Sequence, residues 1–284
     1  MDAAFKENFR RGKPGLHIES YFPNPDSKYF VYCHWHDEWE FFFIEEGSAM
    51  QIVDGVKTLV QAGDIAFIRS GQIHSFESID GLPWSFRVVV FNVDMLRLVT
   101  DELVESKYIR PLIEGRMEIP IVQKSEALVN TFLMLHDLSL KKLQFCELRI
   151  KASLLEMLAC WLELADYDAD SYKSKLTDGL SGQLKSVLNY IHEHYADPIT
   201  VTELSNMMYM SAGHFTKVFY RYTSRTPIDY IITHRLFMAS ELLKKTDKKL
   251  NAIALDAGFY NLSYFIRSFK KFYQCTPTEY RLRS

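Results

Sequence analysis

The chain has 284 residues, 48% apolar and 14% aromatic, enough for two domains with separate cores. Its net charge of −3 is uneven: residues 181–284 hold 14 Lys/Arg and 8 Asp/Glu (+6), leaving 19 and 28 (−9) for the rest, as for a basic nucleic-acid-binding part joined to an acidic one. No run approaches the roughly 18–20 apolar residues of a membrane span, no charged-then-apolar leader is evident, and four scattered cysteines (Cys33, Cys146, Cys160, Cys275) without a CxxC pair argue against a disulfide framework or a cysteine-built zinc site; a cytoplasmic chain with no membrane partner is expected.

Residues 16–92 read as strands. Short alternating or apolar runs (HIESYF, KYFVYC, EWEFFFIEE, SAMQIV, KTLVQ, DIAFIR, SFESI, WSFRVVVF) are cut by turn signals. Asp54-Gly55 predicts a two-residue hairpin of type I′, which needs positive φ at both positions. Gly63-Asp64, Ser70-Gly71 and Gly81-Leu82-Pro83 are further breaks. Many short strands at this spacing predict a sandwich or small barrel.

The strands carry H-W-H-D-E-W-E-x6-G, with His34, His36, Glu40 and Gly47, and later Gly63-x5-Arg69-Ser70-Gly71-Gln72-Ile73-His74. On a strand, the even spacings place His34, His36 and Glu40 on one face. The two stretches resemble both halves of the cupin signature, with Arg69 and Ser78 where the second half ordinarily has Pro and Asn. The resemblance implies a small β-barrel in which His34, His36, Glu40 and His74 either hold one divalent ion or line a ligand pocket without metal. Three nitrogens and one oxygen with open positions suit Zn, Ni, Fe or Mn. Trp35, Trp39, Phe41, Phe43, Phe67, Phe76, Trp84 and Phe86 lie on candidate barrel strands.

From about Asp94 the pattern turns helical, with one strand expected at MEIPIV. Segments 125–138 and 143–164 carry apolar residues at spacings of three and four. In the second, Leu148, Ala152, Leu155, Leu158, Ala159 and Leu162 form one broad face, which either packs on its own domain or forms a dimer interface. Segment 166–182 (DYDADSYKSKLTDGLSG) is polar and aperiodic, and reads as an interdomain linker.

The last third says nearly the same thing twice. Phe215, Phe219, Thr226-Pro227 and Tyr230 recur fifty residues on as Phe265, Phe269, Thr276-Pro277 and Tyr280. In the first copy Thr200 and Glu203 predict a capping box, with Leu204 and Met208 inward. Ser211 caps the next helix, whose inner face is Phe215, Val218, Phe219 and Tyr222. The second copy has Leu250, Ile253 and Ala257, then Gly258 at the turn, then Asn261 opening a helix with Phe265, Phe269 and Phe272 inward. Helix, short turn, helix is the helix-turn-helix layout. A helix over 227–245 joins the copies, with Pro227 suited to its first turn. Nineteen residues at 1.5 Å span roughly 28 Å, close to the ~34 Å between successive major grooves on one face of B-DNA.

These residues carry a specific resemblance. ITVTELSNMMYMSAGHFTKVF, then HRLFMASELLKKT, then LNAIALDAGFYNLSYFIRSFKKFYQCTPTEYR are similar to the AraC/XylS family of bacterial transcription regulators, across essentially all of 185–283. The resemblance implies an α+β chain of two domains. Its parts would be a cupin-type sensor barrel (1–122), a helical dimerisation segment (123–166), a linker (167–182), and an all-α DNA-binding domain with two helix-turn-helix motifs (183–284). Partners would be double-stranded DNA, a small-molecule effector and a second copy of the chain in a homodimer. Outward positions of the recognition helices would meet DNA: Gly213, Thr216 and Lys217, with Tyr220 and Arg221 nearer the backbone, then Leu262, Ser263, Ile266 and Arg267, with Lys270 and Lys271 on phosphates. Arg267 is the first choice for a base contact, since a guanidinium pairs with guanine O6 and N7 together. The second copy is expected to supply more base contacts and the first more of the backbone grip. Sugars are frequent effectors in the family, and aromatic faces with a few polar groups suit them; His34, His36, Glu40, His74 and Trp84 would line the pocket, with Arg69 placed for an anionic group instead.

Ser224 and Gln274 stand where the family usually has Gly after each recognition helix. A non-Gly residue in the left-handed region is strained, so a modest local change in both turns is expected. A cupin metalloenzyme, such as a dioxygenase or isomerase built on His34, His36, Glu40 and His74, is the alternative function; it leaves the duplicated basic domain unexplained. A helical scaffold that never touches DNA leaves the charge asymmetry to chance.

Overall fold

The computed structural model describes residues 17–21, 30–97, 103–117, 119–141, 144–165 and 179–283. All eight strand runs form: β1 Ile18–Tyr21, β2 Phe30–His34, β3 Trp39–Glu46, β4 Ser48–Val53, β5 Val56–Gln61, β6 Ile65–Ile68, β7 His74–Ser78 and β8 Ser85–Phe91. Phe22, at the end of the first run, and Lys28 and Tyr29, at the start of the second, lie outside the described residues. Of the strand expected at MEIPIV only β9, Val122–Gln123, forms, and Glu118 is outside the described residues. Two antiparallel sheets result, ordered β1-β8-β3-β6-β9 and β2-β7-β4-β5. Asp54 and Gly55 close the β4–β5 hairpin at φ 47° and 79°, the two positive values of a type I′ turn.

Strand β3 divides two cores. Alternation turns Glu40, Phe42 and Ile44 one way and Trp39, Phe41 and Phe43 the other. The first set shares a face with Val90, Val88 and Phe86 of β8 and with Ile68 and Ala66 of β6. With Val53, Phe76 and Trp84, its apolar members make the core between the sheets. Beyond β8 come a short turn at Val93–Met95, a π-helical turn at Glu105–Ile109 and α1, Arg110–Ile113. Helices α2, Glu126–Leu140, and α3, Cys146–Leu164, follow; Leu143, the expected start of the second, is outside the described residues. They cover the other face of β3, where Trp39, Phe41, Phe43, Phe67 and Phe91 pack with Phe132, Leu154, Met157 and Trp161. Burying each such side chain stabilises the fold by about 1.5–3 kcal/mol.

The second compact unit is helical throughout its described residues, 179–283, apart from short turns. Helix α4 is Gly179–His194, so residues 179–182, expected in the linker, are its first turn. The buried stripe Leu184, Val187, Leu188 and Ile191 holds that helix, and the polar first turn rides on it. The rest of the expected linker, 167–178, lies outside the described residues. Then come α5 Val201–Met207, α6 Ala212–Thr223, α7 Pro227–Lys245, α8 Leu250–Asp256, α9 Leu262–Tyr273 and α10 Pro277–Arg283. Thr200 and Glu203 make the capping box. Ser211, Thr226 and Asn261 each accept a backbone N–H from three residues on.

The repeat is geometric as well as textual. Phe219 meets Tyr230 edge-on at 5.3 Å and 83°, and Phe269 meets Tyr280 at 5.4 Å and 82°. Both inter-helix turns use the same bond pattern. Tyr209 N–H donates to Asn206 and Met210 N–H to Ser205, while Gly258 N–H donates to Leu255 and Phe259 N–H to Ala254. That is the Schellman motif, with a left-handed residue after the cap. Helix α7 packs against α6 of the first copy and α8, α9 and α10 of the second.

The expected change after the recognition helices is overturned. Ser224 (φ 54°, ψ 17°) and Gln274 (φ 57°, ψ 15°) both keep the left-handed conformation of a glycine. Ser224 N–H donates to the Tyr220 carbonyl at 2.8 Å, and Thr226 and Thr276 open the next helices two residues on. The capping geometry on both sides outweighs the roughly 1–2 kcal/mol of left-handed strain.

Candidate functional site

Two regions gather chemistry. The first is the outer face of α6 and α9. Neither helix contains Asp or Glu. Their inner faces bury Phe215, Phe219 and Tyr222, and Phe265 and Phe269. The 3.6-residue period therefore leaves Gly213, Lys217, Tyr220 and Arg221 exposed on α6, and Ser263, Arg267, Lys270 and Lys271 exposed on α9. An open groove of about 460 Å³ on α6 is lined by His214, Lys217, Val218 and Arg221.

Three expected outward residues sit differently. Thr216 is half-buried, with its hydroxyl donating to the Ala212 carbonyl at 2.8 Å. Leu262 and Ile266 are half-buried and pack on the core of the second copy, since each precedes or follows the Phe265 stripe by a turn or less. His214 and Tyr264 were passed over in the sequence and are exposed at matching positions of the two helices. The fifty-residue offset that pairs Lys217 with Arg267 pairs these two as well, which was the available signal.

The second region lies where the sheets face each other. His34, His36, Glu40 and His74 are all buried there, and one ligating atom of each lies within 4.8 Å of the others. Even spacing on one strand is not the cause, because β2 ends at His34 and β3 begins at Trp39. His34 comes from β2, His36 from the connection, and Glu40 from β3 in the other sheet. His74 comes from β7, where it is the cross-strand partner of His34.

The three imidazoles are oriented alike. Each Nδ1 bonds a backbone carbonyl two residues away: His34 to Tyr32 (2.7 Å), His36 to Glu38 (3.0 Å) and His74 to Gln72 (2.9 Å). A carbonyl partner requires Nδ1 to carry the proton, which assigns the tautomer from the hydrogen-bond network. His36 Nε2 is 3.0 Å and His74 Nε2 3.8 Å from the same Glu40 oxygen. His36 thus stands between two acceptors; serving both takes a doubly protonated ring or a cation between Nε2 and the carboxylate. Burial pushes the Glu40 carboxyl up, but the His36 hydrogen bond and the fields of His74, His36 and His34 together bring it down to about 2. Burial first, then His74 and His36, press His34 well below the usual histidine value.

Most of the aromatic residues on the candidate barrel strands are core residues. Trp39, Phe41, Phe43 and Phe67 belong to the core under α2 and α3, on the far side of β3 from Glu40. Phe76, Trp84 and Phe86 face inward but are packed with Phe42, which stacks on Phe76 at 3.8 Å. Arg69 is also apart from the cluster. Ile68 shares the Glu40 face, so the next residue points the other way, and the Arg69 guanidinium donates to the Met117 carbonyl at 3.2 Å. Two interior polar groups were not foreseen. The Gln51 amide and the Trp84 Nε1–H are buried without a hydrogen-bond partner among the described residues.

The broad apolar face read on α3 splits in two. Leu158 belongs with Ile150, Leu154, Met157 and Trp161 in the core. Leu148, Ala152 and Ala159 are exposed and Leu155 and Leu162 half-buried, a second stripe. Phe145, left-handed at φ 60° and 63% exposed, stands at the helix start.

Comparison with known proteins adds the following. Residues 16–158 match the family model described as an AraC-like ligand binding domain, and residues 204–283 match a helix-turn-helix domain. The chain is 26% identical over 260 residues to the uncharacterized HTH-type transcriptional regulator YdeC of Bacillus subtilis (strain 168), covering 89% of this chain and 86% of the relative. It is 22% identical over 261 residues to the HTH-type transcriptional activator RhaS of Enterobacter sp. (strain 638), covering 87% and 86%. Among solved structures, ToxT from Vibrio cholerae O395 aligns at 14% identity over 95% of this chain and 98% of that one, with a TM-score of 0.47.

Proposed function

The chain belongs to the AraC family of transcription regulators, and we propose that it acts as a cytoplasmic, ligand-responsive regulator that grips double-stranded DNA with α6 and α9. The observation that carries the DNA reading is the pair of acid-free helix faces held in one duplicated frame. Arg267 reads a base edge, with Lys217 next in rank. Gly213, Thr216, Ser263 and the exposed parts of Leu262 and Ile266 allow close approach or apolar contact. Tyr220, Arg221, Lys270 and Lys271 bind phosphates, which position the protein without reading sequence. His214 and Tyr264 extend the two faces.

Two copies of the chain meet through the outer stripe of α3, in a homodimer that offers four recognition helices to two half-sites. Leu148, 71% exposed, is its central anchor. Sedimentation of Leu148→Glu as a monomer supports this; a dimer as tight as the parent's refutes it. For the effector, the sugar expected from the sequence has little to rest on, since most of the aromatic faces that would stack on it are packed in cores. The metalloenzyme alternative is not favoured, because it leaves α6 and α9 without a task.

The test is fluorescence anisotropy on the DNA flanking the chain's own gene. Sequence-selective binding whose log K falls with log salt by about 0.9 per phosphate contact is the expected result. Equal affinity for a scrambled duplex at every salt concentration counts against it.

A further inference from the structure

We propose that Arg235 is a positioning residue for DNA reading. With the α8–α9 turn it clasps the α4–α5 connection, and the clasp fixes the distance and rotation between α6 and α9. It thereby sets the spacing of the base pairs that the two helices accept. This rests on the reading of α6 and α9 as the pair that grips DNA, and adds what holds them in register.

Two motifs joined by one helix have a single tether. Helix α7, with 19 residues, spans roughly 28 Å. Long helices curve, and a small change of direction at one end is amplified at the other. A second tether removes that freedom.

The second tether is built on residues 195–197. Helix α4 ends at His194, and past a last helical turn the backbone carbonyls have no helical N–H to accept. Arg235 of α7 meets that need. Its Nε–H donates to the Tyr195 carbonyl at 2.6 Å and its Nη2 to the Asp197 carbonyl at 2.8 Å. The helix dipole also favours a cation at this end. A planar fork spans two carbonyls in a way that a lysine ammonium does not reproduce. From the other side the α8–α9 turn closes on the same residues. A Cβ on Gly258 would come within 2.9 Å of the Ala196 Cα and 3.0 Å of its carbonyl oxygen, so the two backbones are in contact. The Tyr260 hydroxyl reaches that carbonyl at 3.5 Å.

The clasped segments belong to different copies. The connection runs into the Thr200 and Glu203 cap of α5, which packs on α6. The turn runs into the Asn261 cap of α9. The clasp therefore links the entry of one motif to the middle of the other, beside the link that α7 provides. In the first copy the residue in the place of Gly258 is Tyr209, 93% exposed. The clasp is thus made where the copies meet and not by the motif itself, and its task is to register one copy against the other.

The experiment uses the full chain to select duplexes from a random pool. The two sequence blocks that the parent enriches are rebuilt at their own spacing and with one base pair added or removed between them. One base pair shifts the groove by about 3.4 Å and turns it by about 35°. The parent should therefore lose about tenfold or more in affinity at either altered spacing. Arg235→Lys keeps the charge and loses the fork, and should cut that penalty to about threefold or less while the preferred bases within each block stay the same. Tyr260→Ala, at a position 72% exposed and so safe for folding, loosens the socket from the other side and should give an intermediate penalty. Weaker binding at every spacing with the full penalty intact makes Arg235 merely structural and overturns the proposal. So does a parent that accepts every spacing alike, a result that stands whether or not a variant folds. Enrichment of no sequence by the folded parent sinks the DNA reading itself, whereas indifference to spacing among selected duplexes sinks only the clasp.

Discussion

In the first helix-turn-helix, the left-handed residue after α5 is Tyr209, at φ 54° with its side chain 93% exposed. In the second it is Gly258, at φ 82°, and a Cβ there would come within 2.9 Å of the Ala196 Cα and the Arg235 Nε. The hydrogen-bond pattern is the same; what the turn faces is not. The first turn looks into solvent and accepts a tyrosine at a modest strain. The second is docked on the connection between α4 and α5, where Arg235 donates to the carbonyls of Tyr195 (2.6 Å) and Asp197 (2.8 Å). A duplicated motif thus keeps its backbone and diverges at the seam where one copy must pack on the other.

The sharpest way to break this comparison is to exchange the demand on the turns. Gly258→Ala should cost about 3 kcal/mol, from left-handed strain plus contact with backbone that cannot yield. Tyr209→Gly should change stability by less than about 1 kcal/mol. Equal effects in thermal or urea unfolding would mean the two turns are equivalent after all.

A second difference is titratable. The first copy's side of the unit buries His192, which shares a 2.8 Å hydrogen bond with the Tyr230 hydroxyl, and His234, packed on His192 and Tyr195. No histidine follows His234 in the sequence. Burial, then His234, holds His192 well below the usual value; burial, then Arg235, brings His234 down to about 3. The unfolded chain takes up protons below about pH 6.5 while the folded chain does not. Both histidines therefore contribute stability that is full above that pH and lost as pH drops below it, the His234 share running down toward pH 3. His234→Leu should flatten the decline of melting temperature between pH 7 and 5; an unchanged slope would remove the first copy's acid sensitivity from the account.

On DNA, Arg267→Ala should cost about tenfold in affinity for the preferred site and relax the preference at one base pair. Arg221→Ala, on the first copy's backbone grip, should weaken all sequences alike and reduce the salt slope by about 1. Reversed outcomes, or a swap of α6 and α9 that leaves selectivity untouched, would erase the division of labour between the copies. The smallest effect is shared by both: Ser224→Gly and Gln274→Gly should each stabilise by about 0.5–1 kcal/mol, since both residues hold a glycine's conformation.

Much of this was legible because it is periodic or local. Alternation located eight strands, the 3.6-residue period located the helices, and Thr200 with Glu203 announced a cap from four residues of text. What stayed hidden depends on contacts between distant segments. A run such as EWEFFFIEE is apolar on both faces, so nothing in it says that Phe42 belongs between the sheets and Phe41 and Phe43 beneath the helices. The resemblance to the cupin signature brought His34, His36, Glu40 and His74 together, but the shared face of one strand expected for the first three is not what assembles them: a connection between the sheets does. Ser224 and Gln274 were misjudged because the strain of a left-handed residue is visible in the sequence, whereas the capping bonds that offset it are not.

The division of β3 between two cores has one more consequence. Glu40 looks into the barrel, and its chain neighbours Trp39 and Phe41 look out, where Phe41 lies 6.0 Å from Trp161 of α3. The wall between cluster and helices is a single pleat thick. A shift of the β3 backbone at Glu40 therefore moves the rings packed beneath α3 directly, because the inward carboxylate and the outward rings hang from one stretch of main chain.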